Sequence, residues 1–240
     1  MGLRTLLFLT IAPAALSAES RPAGITVHTW VREEIFAGFM TGDMPRFESG
    51  MAKLRDILAV EPNNPVALAW QGGGQVLRAV RAREAGDTQK YRDLYQEAQL
   101  QFTKALELAP NDVGVLVVSG GTSIMFGDRL AEQDRQQAFE LGYRNYFAAT
   151  ELQKQAMDKL PPHFRGELWS GLALAADRLD KRADREKYIA LMKEQLQGTP
   201  YPSRAERWAN QTRIEGNYMC LSCHEPGRLQ ARIKAVSEKK

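Results

Sequence analysis

Residues 98–110 read AQLQFTKALELAP, and the spacing inside this stretch decides the fold. Ala98, Phe102 and Ala105 fall on one face of a helix of 3.6 residues per turn, and Pro110 ends that helix because proline has no backbone N–H to donate. The separations are 4, 3 and 5 residues, and they recur along the chain. Gly50, Leu54, Ile57 and Pro62 repeat them, as do Ala149, Gln153, Ala156 and Pro161. Tyr188, Met192, Gln195 and Pro200 do so with a large residue where the others have a small one. A second regularity lies downstream of each proline. Ten residues past Pro62, Pro110 and Pro161 stand Gly72, Gly120 and Gly171, and Gly38 holds the matching place in a first unit, Val31 to Asn64. Each unit therefore carries one small residue in each of two helices, where a pair of helices can cross closely.

This two-helix pattern resembles the tetratricopeptide repeat family, in four units over residues 31–202. The resemblance implies an all-α fold of antiparallel helix pairs, whose concave face binds extended peptides or partner domains. The first unit has the family's 34-residue length. The others, at 48, 51 and 39 residues, carry insertions between their halves, with Gly86-Asp87 and Gly127-Asp128 marking turns in the two longer ones. An additional helix, Arg129 to Leu141, is expected in the third unit. Tyr188 implies a different packing in the fourth.

The repeat also accounts for features that could suggest other chemistry. QGGGQ (71–75) and VSGGTS (118–123) lack the glycine spacing and Lys-Ser/Thr ending of a phosphate loop. Helix packing already explains their glycines. Trp30, Trp70, Trp169 and Tyr188 are expected in the core. Three histidines and no nucleophile-elbow serine give no hydrolase triad. With 32 basic and 29 acidic residues scattered along 240 positions, the chain has no nucleic-acid footprint.

Residues 1–18, MGLRTLLFLTIAPAALSA, have the three parts of an export signal: Arg4, a short apolar run, and a small-residue cleavage zone. The run is too short to span a bilayer and Pro13 interrupts it. An exported, periplasmic or otherwise extracytoplasmic protein is expected, with no stable membrane span after cleavage. The chain then divides into the signal (1–18), an N-terminal extension (19–30), the repeat region (31–202) and a C-terminal segment (203–240).

That last segment holds the only two cysteines, in NYMCLSCHEPGRL (217–229). Cys220, Cys223 and His224 form C-x-x-C-H, which resembles the haem-attachment motif of c-type cytochromes. The resemblance implies one covalent haem c, held by thioethers from Cys220 and Cys223, with His224 as proximal iron ligand. A Cys220–Cys223 disulfide and half of a zinc site are the competing readings. The first lacks the strand-to-helix setting of a redox dithiol, and the second lacks another cysteine pair. Placement near the end of the chain is similar to that in the cytochrome c-prime group, whose haem often has no strong sixth ligand.

No methionine follows His224, so a sixth ligand must come from elsewhere. The candidates are His28, in a segment expected to be extended, His163 after Pro161-Pro162, and Met40, Met44, Met51, Met125, Met157 and Met192; an open site is the alternative. Arg228 and Arg232, on an expected short basic helix from Arg228 to Lys240, are either propionate contacts or part of a solvated tail. The expected function is single-electron transfer with a docked protein redox partner. The rivals are a protein-binding adaptor with a structural haem or disulfide, and a five-coordinate haem that binds gases or reduces peroxide. These residues point to electron transfer or binding more than to an enzyme, and leave the latter open.

Overall fold

The computed structural model describes residues 21–216 and 227–238, apart from the side chains of Arg228, Leu229 and Arg232. The described residues are helical, with no strand among them. Helix α1 (Val27–Phe36) continues into a π-helical turn (Ala37–Thr41), followed by α2 (Met44–Val60), α3 (Pro65–Glu84), α4 (Thr88–Leu108), α5 (Val113–Gly127) and α6 (Glu132–Leu152). A 3-10 segment (Lys154–Lys159) leads into α7 (Pro162–Arg178), α8 (Arg182–Gln195), α9 (Tyr201–Ala209) and α10 (Arg228–Ser237).

Local chemistry sets most of these boundaries. Asp43, Asn64, Asp87 and Asp112 cap α2 to α5, each side chain accepting the backbone N–H three residues on. Such a cap contributes about 1 kcal/mol by satisfying one orphan donor. Pro65 and Pro162 open α3 and α7, where a missing N–H costs nothing. Pro62 and Pro110 lie just past the ends of α2 and α4, as the spacing requires.

Helices pack as successive pairs, α1 with α2, α3 with α4, α5 with α6 and α7 with α8. The first members also touch in sequence: α1 on α3, α3 on α5, α5 on α7. Apolar burial falls into two contiguous cores. One lies beneath α1 to α4 and includes Trp30, Phe47 and Trp70; the other lies beneath α6 to α9 and includes Trp169, Tyr188 and Trp208. α5 and α6 contribute to both. The glycine clusters are helix interior, with Gly72, Gly73 and Gly74 buried in α3 and Gly120 and Gly121 in α5.

Gly72 shows why the pattern demands a small residue. A Cβ there would lie 2.8 Å from the Phe102 ring and 3.1 Å from the Ala98 carbonyl oxygen. In the third pair the same relation links different residues from those the spacing selects. A Cβ on Gly120 would meet Tyr146 at 3.0 Å and the Gly142 carbonyl at 3.3 Å. The close-packing triplet in α6 is therefore Gly142, Tyr146 and Ala149, seven residues before Ala149, Gln153 and Ala156. Seven residues are nearly two full turns, so both triplets fall on one face. Only the second helix's position against α5 separates them.

The same shift removes the expected additional helix at Arg129–Leu141. Residues 132–152 form one continuous helix, and the insertion lengthens the second member of the pair. In the second pair, too, the inserted residues extend α3 and α4 on either side of the Gly86-Asp87 turn, where Gly86 adopts a left-handed φ of 81°. Gly142→Val is expected to destabilise the protein by about 1–3 kcal/mol, because its Cβ would lie 2.4 Å from Ile124. Ala156→Val, on the half-exposed 3-10 segment, should stay within about 0.5 kcal/mol of the parent. Urea midpoints of the two variants check this; equal losses would return the contact to the later triplet.

Candidate functional site

Cys220, Cys223 and His224 lie outside the described residues, and described residues hold the chain on either side of them. On the N-terminal side, residues 201–216 are not a loose connection. α9 packs on α8, and Tyr201, Ala205, Trp208 and Ile214 are all buried. An ion cluster at the end of α7 holds the chain beyond α9. Asp177, 4% exposed, lies 2.5 Å from Arg178 Nη1 and 2.9 Å from Arg185 Nε, and its Oδ2 accepts the Ile214 N–H at 3.1 Å. Arg178 Nη2 donates to the Ile214 carbonyl and to Asp128, while Arg185 Nη2 donates to the carbonyls of Trp208 and Gln211, both at 2.7 Å. Residues 208–214 are thereby fixed to α7 and α8, six positions before Cys220.

On the C-terminal side, α10 returns to the first pair. Gly227, at a left-handed φ of 95°, donates its N–H to Glu33 Oε1 at 2.9 Å, and Arg46 Nη2 donates to the same oxygen at 2.9 Å. Glu33 is 9% exposed, so its charge is compensated by Arg46 rather than by water. Ile233 and Val236 pack on the N-terminal core, and Val236 reaches Gly24. The expected helix after Pro226-Gly227 is present as Arg228–Ser237. Arg228 and Arg232 lie on it, with side chains outside the description.

The candidate sixth ligands separate clearly. His28 is not in an extended segment; it occupies the first turn of α1, capped by the Thr26 hydroxyl. The capping Ser/Thr signal in ITVHTW was the cue that places this helix start. Its ring tilts against Trp70 with centroids 5.3 Å apart, and Nδ1 is buried without a hydrogen-bond partner. Burial, assisted by the charge of Arg32, lowers its pKa to about 4. The imidazole is thus neutral at physiological pH, the form that ligates metals.

His163 sits in the first turn of α7, with Nδ1 3.2 Å from the Tyr201 hydroxyl and Nε2 3.7 Å from Glu167 Oε2. Met51 and Met192 are buried within the two cores, Met51 against Gly74. Met157 is buried in the 3-10 segment, and Met40, Met44 and Met125 are partly buried against core residues.

Glu167, which the sequence reading does not single out, is a largely enclosed carboxylate on α7. It accepts from the Tyr146 hydroxyl at 3.2 Å, and burial raises its pKa to about 7 although 17% of its side chain reaches the surface. The Tyr146 hydrogen bond and the charge of Arg32 pull that value back only in part. Arg32 is on α1 and Glu167 on α7, so the first and last pairs come within electrostatic reach of each other on the side of the first helices. A carboxylate in an apolar-period position was the available signal, in Glu167 of RGELWSG as in Asp177 of LAADRL. It does not by itself say which partner compensates it.

No described helix is long and apolar enough to cross a membrane. Comparison with known proteins finds no matching family model, no curated relative and no solved structure of significant similarity.

Proposed function

We propose that this chain is an exported monohaem c-type cytochrome in which a tetratricopeptide-like stack of helix pairs carries an appended haem segment and docks a protein redox partner. The observation that carries the reading is C-x-x-C-H, formed by the only two cysteines of the chain and His224. The register of glycines, and the helix pairs they separate, support the repeat scaffold. A neutral, buried imidazole with an unpartnered nitrogen at His28 fits a metal-bound group nearby.

In this reading Cys220 and Cys223 would hold the haem covalently, and His224 would ligate its iron. The bound haem supplies a reversible one-electron couple. The Asp177 cluster and the Gly227–Glu33 hydrogen bond hold the two ends of the attachment segment against α7 and α1.

A second reading, a protein-binding adaptor, is favoured by one feature. Val60, Leu108 and Leu152, the last residues of α2, α4 and α6, are 78%, 46% and 47% exposed. They occupy the same register position in three successive pairs, so each places an exposed apolar side chain at the end of a second helix, where a partner could cover it.

The test is expression in a host that attaches haem to exported proteins. The expected result is one haem per chain that survives denaturation and acid extraction, and is lost in Cys220→Ala/Cys223→Ala. Protein that folds and binds its partner with no covalent haem would overturn the cytochrome reading and leave the adaptor.

A further inference from the structure

We propose that the face of α1 beneath α10 is a docking site for an amphipathic helix, filled in cis by α10 and open to a partner's helix of the same character when α10 lifts. The inference rests on the partner docking proposed above and is independent of the haem. Two kinds of contact seat α10 there. Its N-cap, Gly227, gives its N–H to Glu33 Oε1 at 2.9 Å. Ile233 and Val236, three residues apart and so on one side of the helix, pack on the core beneath α1 to α4. Val236 also reaches the chain just before α1, where a Cβ on Gly24 would lie 3.1 Å from its Cγ1.

The receiving side is built without α10. Arg46 Nη2 is 2.9 Å from the same Glu33 oxygen, so the carboxylate keeps a compensating charge when the Gly227 N–H leaves. A carboxylate held in this way favours the N-terminal end of an incoming helix, whose first N–H groups have no partner within the helix. The seat is also shallow. Ile233 and Val236 stay partly buried, whereas α3 and α4 close on Trp70 and Phe102, each 1% exposed. Lys234 and Glu238 are exposed and pair with each other, at 3.8 Å. A tethered helix holds such a seat because the tether gives it an effective concentration on the order of millimolar, which a partner's helix with better apolar contacts overcomes. That helix would carry two aliphatic residues three positions apart, and would bring its N-terminal turn to Glu33.

The test uses the full-length exported chain, with a fluorescent, N-acetylated peptide of residues 227–240 as the incoming helix. Ile233→Asp/Val236→Asp should unseat α10 and free the site. Fluorescence anisotropy should then show the peptide binding this variant at least about tenfold more tightly than the wild type, where α10 competes from its tether. A peptide carrying the same two aspartates should not bind, and Glu33→Gln in the opened chain should weaken binding of the unaltered peptide. Should the double variant fail to fold, Gly227→Pro takes its place with a smaller gain, since proline has no N–H for Glu33 and cannot adopt a φ of 95°. Equal affinity for the wild type and the opened chain, or binding to neither, overturns the inference. The readout needs no haem, so absence of covalent haem would overturn the cytochrome reading and leave the docking site standing.

Discussion

Asp177→Ala is expected to destabilise the protein by about 3–5 kcal/mol, because removing one partner of a buried ion cluster leaves the others uncompensated. The guanidinium groups it would strand are on Arg178 and Arg185, whose side chains are 6% and 15% exposed. Arg178 keeps Asp128 as a partner, but Asp128 is half exposed and sits at the rim. Asp128→Ala should therefore cost no more than about 1 kcal/mol, as for an exposed pair. The Ile214 N–H would lose its acceptor as well. The damage should thus spread to residues 208–214, which Arg178 and Arg185 hold by their carbonyls, and faster proteolysis there should accompany the lower urea midpoint. A loss for Asp177→Ala no larger than that for Asp128→Ala would show that the cluster does not anchor this segment.

The stability of the haem-free chain should be nearly flat between about pH 4.5 and pH 6.5 as far as Glu167 and His28 are concerned, because their effects oppose. The folded-state pKa of Glu167 is raised to about 7, so the native state holds a proton that the unfolded state has released. Its contribution is present at low pH and is lost as pH rises towards 7, by about 3 kcal/mol in all. The folded-state pKa of His28 is lowered to about 4, so the unfolded state binds the extra proton. Stability from this source is complete above pH 6.5 and is lost as pH falls towards 4, again by about 3 kcal/mol. Glu167→Gln should uncover the His28 slope, with stability rising over this range relative to the parent. His28→Phe should uncover the opposite slope. Urea unfolding of parent and variants at several pH values reads these as differences between curves, which cancels the carboxylates common to all three. Parallel curves would mean that neither group is desolvated as the fold implies.

Much of the architecture was legible because its signals are local. Proline after a helix, Asp or Asn before one, and glycine at a close crossing each act within a few residues. The helix pairs, the Gly86-Asp87 turn, the buried tryptophans and the helix after Gly227 followed from them. The third pair was misread for a physical reason. Gly142 and Ala149 are two turns apart on one face, and the hydrophobic period cannot rank them. The start of α1 was missed because the extended reading of residues 19–30 overlooked the Thr26 cap.

The sequence by itself determined the all-helical class and the pairing of helices, and it set Cys220, Cys223 and His224 in one short C-x-x-C-H stretch. Each is set by spacing along a single short segment. Only the tertiary structure decided that the carboxylates of Glu33 and Asp177 are buried, that residues 201–214 are clamped to α7 and α8, and that α10 closes back on α1. A charge or an imidazole can be held away from water only by partners distant in the chain. Arg46 lies 13 residues from Glu33, and the backbone N–H of Gly227 that shares the same carboxylate lies 194 residues away. No local pattern records such meetings; the packing of the helices creates them.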